Sequence, residues 1–328
     1  CLLAVVSLSG CRPSLGRDPD ASDEADAYVG PHATISGTVW APGQAQGRVP
    51  EGQEIPVSGA LVYVSGEPPP AIPQQAYCEP CVNPPLNAVW TDPLGGFELI
   101  LGAGRYWLII QKGQFRLEQE IEVALDETRA LPPTATTMPS ELDPDHGKWI
   151  PKIAIAVGNW DKLEDILGKM GLGEVGPGGR FTASLGRIDL YGNGGQDPAL
   201  EALGSLGDLV SDLDAMLRYH IIFIPCSGDG RTALLRDDAT RRNLRDYVAA
   251  GGKLYVTDWS GEWNDNVFPA QIELGPSDVG LDNRIDTPAA AYDESSDTWD
   301  ASLFGTADGD EYDSNNAVAV DEGLAAWL

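Results

Sequence analysis

Histidine is scarce in this chain. Its 328 residues contain three, at positions 32, 146 and 220, and none follows His220. His32 and His146 fall in polar, proline- and glycine-bearing connectors, so the sequence offers no histidine cluster for a metal. It also offers no downstream base for a nucleophile in the carboxyl-terminal half. Positive charge is short as well, with 21 Lys and Arg against 50 Asp and Glu and a net charge of −29. Such a surface repels phosphate backbones, which argues against nucleic-acid binding, while it suits solubility and attracts divalent cations. Cysteine is limited to five residues, and the single CxxC has no second pair to complete a zinc ribbon. Apolar runs are short, and none approaches the roughly 20 residues that a membrane helix needs. What is abundant is glycine (38) and proline (25), a composition that favours turns and short strands over a helical bundle.

The length predicts two domains of ordinary size. At the amino end, Leu2-Leu3-Ala4-Val5-Val6-Ser7-Leu8 is an apolar run followed by Ser9-Gly10-Cys11. A run of this kind, about 7–15 residues long and ending in small residues, is a secretion signal. The order Leu8-Ser9-Gly10-Cys11 resembles the bacterial lipobox. The resemblance implies that residues 1–10 are the remainder of a signal peptide, cut just before Cys11, whose thiol carries the lipid. Arg12 stands where an Asp would retain some lipoproteins at the inner membrane, so the expected location is the cell envelope, at the outer membrane. Residues 12–33 carry Asp18, Asp20, Asp23, Glu24 and Asp26 among small residues, and read as an acidic tether with too little apolar surface to fold. The chain is read as a piece of a longer protein, cut at both ends.

Residues 34–131 alternate with period two. Phe97, Leu99 and Leu101 show it, as do Tyr106, Leu108 and Ile110, and Ile121, Val123 and Leu125. Half-buried antiparallel strands give this pattern, and turns such as Asp92-Pro93-Leu94-Gly95-Gly96 separate them, which predicts a β-sandwich. The segments Ile35-Ser36-Gly37-Thr38-Val39, Val57-Ser58-Gly59-Ala60-Leu61-Val62, Thr91–Phe97 and Gly104–Leu108 occur in an order that resembles the carboxypeptidase regulatory-like domain. That family implies a transthyretin-like sandwich serving as a non-catalytic spacer, adhesion or binding module. A proline-rich insertion at 66–87 contains Cys78-Glu79-Pro80-Cys81. Redox chemistry, half a zinc site and a local disulfide are the alternatives for this pair. A disulfide between Cys78 and Cys81 is the preferred reading for an exported chain, since Pro84-Pro85 follow where a thiolate-stabilising helix would start.

Residues 132–149 are expected to be a connector, and the periodicity changes after them. Residues 150–328 are read as an α/β domain of three layers with a mainly parallel sheet. Ile153–Val157, His220–Pro225 and Lys253–Thr257 are continuous apolar runs of the kind found in strands buried on both faces. Asp161–Met170, Leu200–Arg218 (with a break near Gly204–Gly207) and Asp237–Ala250 are the intervening helical stretches. The segment from Tyr219 to Gly228, followed by Asn243 to Val256 with its Gly251-Gly252, resembles the class I glutamine amidotransferase-like fold. In catalytic members of that family a nucleophile sits at a sharp strand-to-helix turn. Here Ser260 lies near that turn and Cys226 one strand earlier, but neither a GxCxG nor a GxSxG frame is present. For Cys226, a small residue packed at a strand end is the preferred alternative. His220, opening a buried strand, is expected to be a satisfied structural histidine. Gly176–Gly179 and Gly192–Gly195 lack the phosphate-loop lysine and spacing, so they read as turns. Asp308, Asp310 and Asp313 offer hard oxygen ligands for Ca²⁺, with a solvated acidic loop as the preferred reading.

The expectation for function is a non-catalytic exported lipoprotein. It would be held to the membrane through its lipid and bind or scaffold a protein or carbohydrate at the cell surface. The alternative is an exported hydrolase or amidase using Ser260 or Cys226 with a base beyond residue 328.

Overall fold

A computed structural model of the chain describes residues 32–78, 84–194, 197, 199–227 and 232–268, together with the short strand pair Tyr292–Asp293 and Thr298–Trp299. The amino-terminal half is built from mostly antiparallel strands. In order these are β1 (Ala33–Thr38), β2 (Leu61–Ser65), β3 (Val89–Trp90), β4 (Gly96–Leu101), β5 (Gly104–Lys112), β6 (Phe115–Val123) and β7 (Thr128–Ala130). Strands β4, β1 and β7 form one sheet, and β3, β2, β5 and β6 belong to a second. Alternation places Ile35 of β1 and Phe97, Leu99 and Leu101 of β4 on one face. There they meet Val62 and Val64 of β2 and Leu108 and Ile110 of β5 in a single core. The period-two pattern is therefore a true burial pattern, and Ile100, between two core residues, is 59% exposed. Leu125, grouped with this alternation from the sequence, lies past the end of β6 and is exposed.

Residues 132–149 do more than connect. The short helix α1 (Pro133–Thr136) is followed by Met138, which enters the same core. Trp40 donates its amide to the Thr136 carbonyl (3.2 Å) and accepts from the Met138 amide (2.9 Å). Strand β8 (Lys148–Trp149) then pairs with β6, extending the second sheet. The elements are too short to show a period, which is why the sequence reads as linker.

The carboxyl-terminal half carries one five-stranded, wholly parallel sheet. Its strands are β9 (Ile153–Val157), β12 (Ile188–Gly192), β13 (Gly204–Ser205), β14 (Ile221–Ile224) and β15 (Lys253–Val256), while β10 (Gly173–Val175) and β11 (Phe181–Ser184) form a separate hairpin. The spatial order is β13-β12-β9-β14-β15. The chain thus works outward from β9 in one direction, then returns to β14 on the other side.

Strand β9 is buried throughout, and its sequence sorts by face. Ile153, Ile155 and Val157 pack with Phe181, Ile188, Leu190 and Leu163. Ala154 and Ala156 face the other way, where Leu209, Met216, Tyr219, Leu244 and Tyr247 supply the volume. Small side chains on that face leave room for the large residues of α3 (Leu206–Val210), α4 (Leu213–Leu217) and α6 (Asp238–Ala249), which lies beyond the short α5 (Thr232–Leu235).

Helix α2 (Leu163–Leu167) covers the isoleucine face. It is shorter than the periodicity of 161–170 predicts, because the chain widens into a π turn that ends at Leu172. The long helical stretch at 200–218 is likewise two helices, each with its own cap, Ser205 for α3 and Asp212 for α4. Burying one isoleucine of β9 is worth about 1.5–3 kcal/mol, so this strand is the main local source of stability.

The proline-rich insertion between β2 and β3 links the halves, as does the close approach of Gly43 and Gly171. Residues 70–78 run as a strap over the amino ends of the parallel strands. Arg116 of β6 holds the strap's start through the Pro70 carbonyl (2.7 Å). The Arg187 guanidinium donates to Gln74 Oε1 (2.8 Å), and the Ala76 amide donates to the Leu217 carbonyl (2.8 Å). Gly251 is required where the strap passes: its φ is +97°, and a Cβ there would stand 2.1 Å from the Tyr77 carbonyl group.

Ile155→Ala is expected to cost about 2–5 kcal/mol in urea unfolding, while Ile100→Ala stays within about 0.5 kcal/mol. Equal losses would contradict the burial pattern.

Candidate functional site at the carboxyl edge of the parallel sheet

Open parallel sheets bind ligands outside the carboxyl ends of their strands, at the point where strand order reverses. Here that point lies between β9 and β14. The loops that meet there begin with Gly158 after β9, Asn193 after β12, Pro225 after β14 and Thr257 after β15. They are tightly joined. A Cβ on Gly158 would stand 2.6 Å from Ser227 Oγ, so only glycine lets the two central loops approach this closely. Ser227 Oγ donates to the Asn193 carbonyl (2.5 Å), tying in the next loop.

Cys226 is held by both of its backbone groups. Its amide donates to Thr257 Oγ1 (3.0 Å), and its carbonyl accepts from the Asp161 amide (3.3 Å). The Thr257 hydroxyl in turn donates to Asp161. Ser260, in the 3₁₀ turn Asp258–Gly261 ahead of α7 (Glu262–Val267), donates its hydroxyl to the Pro225 carbonyl (3.0 Å). The structure therefore brings Cys226 and Ser260 to neighbouring strand ends, as the sequence placed them. Both side chains are buried, and the Ser260 hydroxyl is engaged in holding the loop.

The histidines lie elsewhere. His220 sits at the opposite, amino end of β14, roughly 13 Å of strand away. It is 1% exposed, with both ring nitrogens bonded, as expected of a structural histidine. His146 is exposed and pairs with Asp143 (2.8 Å). Among the described residues, no histidine stands within reach of Cys226 or Ser260.

One titratable group near this edge escaped the sequence reading. Glu164, in the first turn of α2, is 2% exposed, and its Oε2 has no hydrogen-bond partner. Lys162 Nζ lies 4.0 Å from its other oxygen and donates to the Gly158 carbonyl. Burial pushes the Glu164 carboxyl above its ordinary value, a shift that Lys162 and Arg180 oppose. A buried acid with a raised pKa beside a loop cluster has the chemistry of a proton carrier or a ligand contact. A Glu in an otherwise amphipathic helix start carries no sequence signal for this, because acids are common in first helical turns.

Trp160, in the loop after β9, is 69% exposed. Asp161, which follows it in the chain, is bonded to the Thr257 hydroxyl.

Cys11, Cys81, Asp308, Asp310 and Asp313 lie outside the described residues. Cys78 is exposed, with Sγ 3.5 Å from the Ala249 carbonyl. Among the described residues no group of three or more His, Cys, Asp and Glu is placed to hold a metal, and no helix is long and apolar enough to cross a membrane. No family model, curated protein or solved structure matches the chain.

A raised carboxyl pKa favours the fold fully below the ordinary value of 4.5, and that contribution is lost as pH rises through the raised value. Glu164→Gln is therefore expected to raise stability at pH about 8, where the buried carboxyl is charged, and to leave it nearly unchanged below about pH 4.5. Thermal melts at the two pH values check this, and a loss of stability at the higher pH would contradict it.

Proposed function

We propose that the chain is a non-catalytic, lipid-anchored binding or scaffold protein of the cell envelope, at the outer membrane. In this reading Cys11 carries the lipid and the acidic segment 12–33 is the tether. The amino-terminal strands form a carboxypeptidase regulatory-like, transthyretin-like sandwich. Residues 150–328 form a three-layer, class I glutamine amidotransferase-like domain that has lost the family's chemistry. The partner is a protein or carbohydrate at the surface.

The observation that carries the reading is the use made of the candidate nucleophiles. Ser260 spends its hydroxyl on the Pro225 carbonyl, and Cys226 is buried and held by Thr257 and Asp161. The nearest described imidazole is at the far end of β14 and is engaged on both nitrogens. A nucleophile needs a base within hydrogen-bond reach, so this arrangement favours structure over catalysis. The proximity of Cys226 and Ser260 is what the second reading, an exported hydrolase or amidase, would build on.

One experiment addresses both parts. Cells producing the protein are fed a labelled fatty acid, and their native membranes are treated with a fluorophosphonate and with iodoacetamide. Label is expected in the protein and lost in Cys11→Ala, while Ser260 and Cys226 stay unmodified until denaturation. An unlabelled wild type would remove the anchor. Modification of either residue in the native protein would restore the enzyme.

A further inference from the structure

His220 joins three segments at one point. Its Nδ1 accepts the Lys152 amide proton (2.9 Å), and its Nε2 lies 2.7 Å from the Pro73 carbonyl of the strap. An amide donor at Nδ1 fixes the tautomer: Nδ1 carries the lone pair, and Nε2–H donates to Pro73. The Tyr77 ring of the strap stands edge-on to the imidazole at 6.1 Å between centroids. The backbone of His220 is bonded on both sides, to Lys152 and Lys253. The ring therefore fastens the strap to the first residues of the central parallel strands.

The charged groups around this ring are mostly of one sign. Arg187 reaches it from the start of β12 and Lys253 from the start of β15, while Lys152, ahead of β9, meets it through its backbone amide. Arg187 donates to Gln74 and to the Ile150 carbonyl, and Lys152 Nζ pairs with Asp189 (3.1 Å), the nearby acid. Burial, together with Arg187 and Lys253, holds the imidazole below the ordinary histidine range, an effect that the Pro73 bond opposes.

We propose that the strap at residues 70–78 is an acid-released latch, docked while His220 is neutral and freed when its Nδ1 takes a proton. A proton on Nδ1 faces the Lys152 amide hydrogen, so that bond is lost and the ring must turn. It also adds a positive charge beside Arg187 and Lys253, in a site where, among the described residues, no acid is bonded to the imidazole. A charge-assisted bond to Pro73 offsets part of this, but an unpaired buried charge outweighs a single hydrogen bond. Once the ring turns, the Pro73 anchor goes, and between its Pro70 bond to Arg116 and its carboxyl end the strap relies on Gln74–Arg187, Ala76–Leu217 and the packing of Tyr77 and Cys78. The inference is independent of export and of the lipid.

The linkage has one sign. Docking is complete above the ordinary histidine value of about 6.5, weakens about tenfold per pH unit below it, and levels off beneath the docked value. Hydrogen exchange on the full chain, corrected for the intrinsic pH dependence of exchange, reads this at the Ala76 amide. The Ile222 and Leu254 amides serve as sheet references. Between pH about 7.5 and 5, Ala76 protection is expected to fall about tenfold or more while the sheet amides hold. His220→Gln, which keeps one acceptor and one donor but does not titrate, is expected to remove the pH dependence. Gly251→Ala is expected to free Ala76 at both pH values with the sheet intact. The latch is overturned if wild-type Ala76 protection is constant, if it falls together with the sheet amides, or if His220→Gln retains the same pH dependence. The wild-type titration decides alone should a variant fail to fold.

Discussion

The two hydrogen bonds of the His220 imidazole fasten the strap at residues 70–78 to the amino ends of the parallel strands. His220 accepts a hydrogen bond from the Lys152 amide ahead of β9 and donates one to the Pro73 carbonyl of an insertion that belongs to the other half. Both partners are main-chain groups, which have fixed directions and do not titrate. The imidazole therefore has a single charge state and a single tautomer in which both bonds exist. Gly251 contributes by absence: any side chain there would occupy the space of the Tyr77 carbonyl. The contact is small, and it lies at the amino edge of the parallel sheet, beside the strap's bonds to Arg187 and Leu217.

That choice has a consequence for function. The strap closes the amino edge, so the carboxyl edge, where strand order reverses, is the one left to the loops. Those loops are interlocked by short polar side chains, with Ser227, Thr257, Asp161 and Ser260 bonded across them. A site prepared for covalent chemistry leaves its nucleophile free and places a base beside it. Here the polar groups serve the loops themselves, and Glu164 is the acid whose second oxygen has no partner. The proposed binding role takes its support from this pattern.

The extent to which the sequence disclosed the structure follows from the range of each interaction. Strands such as Ile153–Val157 and Gly96–Leu101 show their burial in local periodicity, because one face or both must be apolar regardless of what covers them. The turn at Asp92 is also local: the carboxylate accepts from the Leu94 and Gly96 amides at 2.8 Å each. The strap is not. Its anchors at Pro70, Pro73 and Leu217 are carbonyl groups, which every residue has, so no side-chain pattern announces them. The same holds for residues 132–149, whose elements are two to four residues long. At the candidate site, Cys226 and Ser260 were visible as residue types at strand ends. Glu164 was not, because its significance lies in burial across α2 and the sheet.

The central claim is that His220 is neutral and carries its proton on Nε2 while the strap is docked. Nitrogen-15 chemical shifts of the His220 ring test it most directly, in the full chain at a pH above the ordinary histidine value. The account predicts an unprotonated Nδ1 and a protonated Nε2 coupled to the Pro73 carbonyl. An imidazolium, or a ring with its proton on Nδ1, would contradict it.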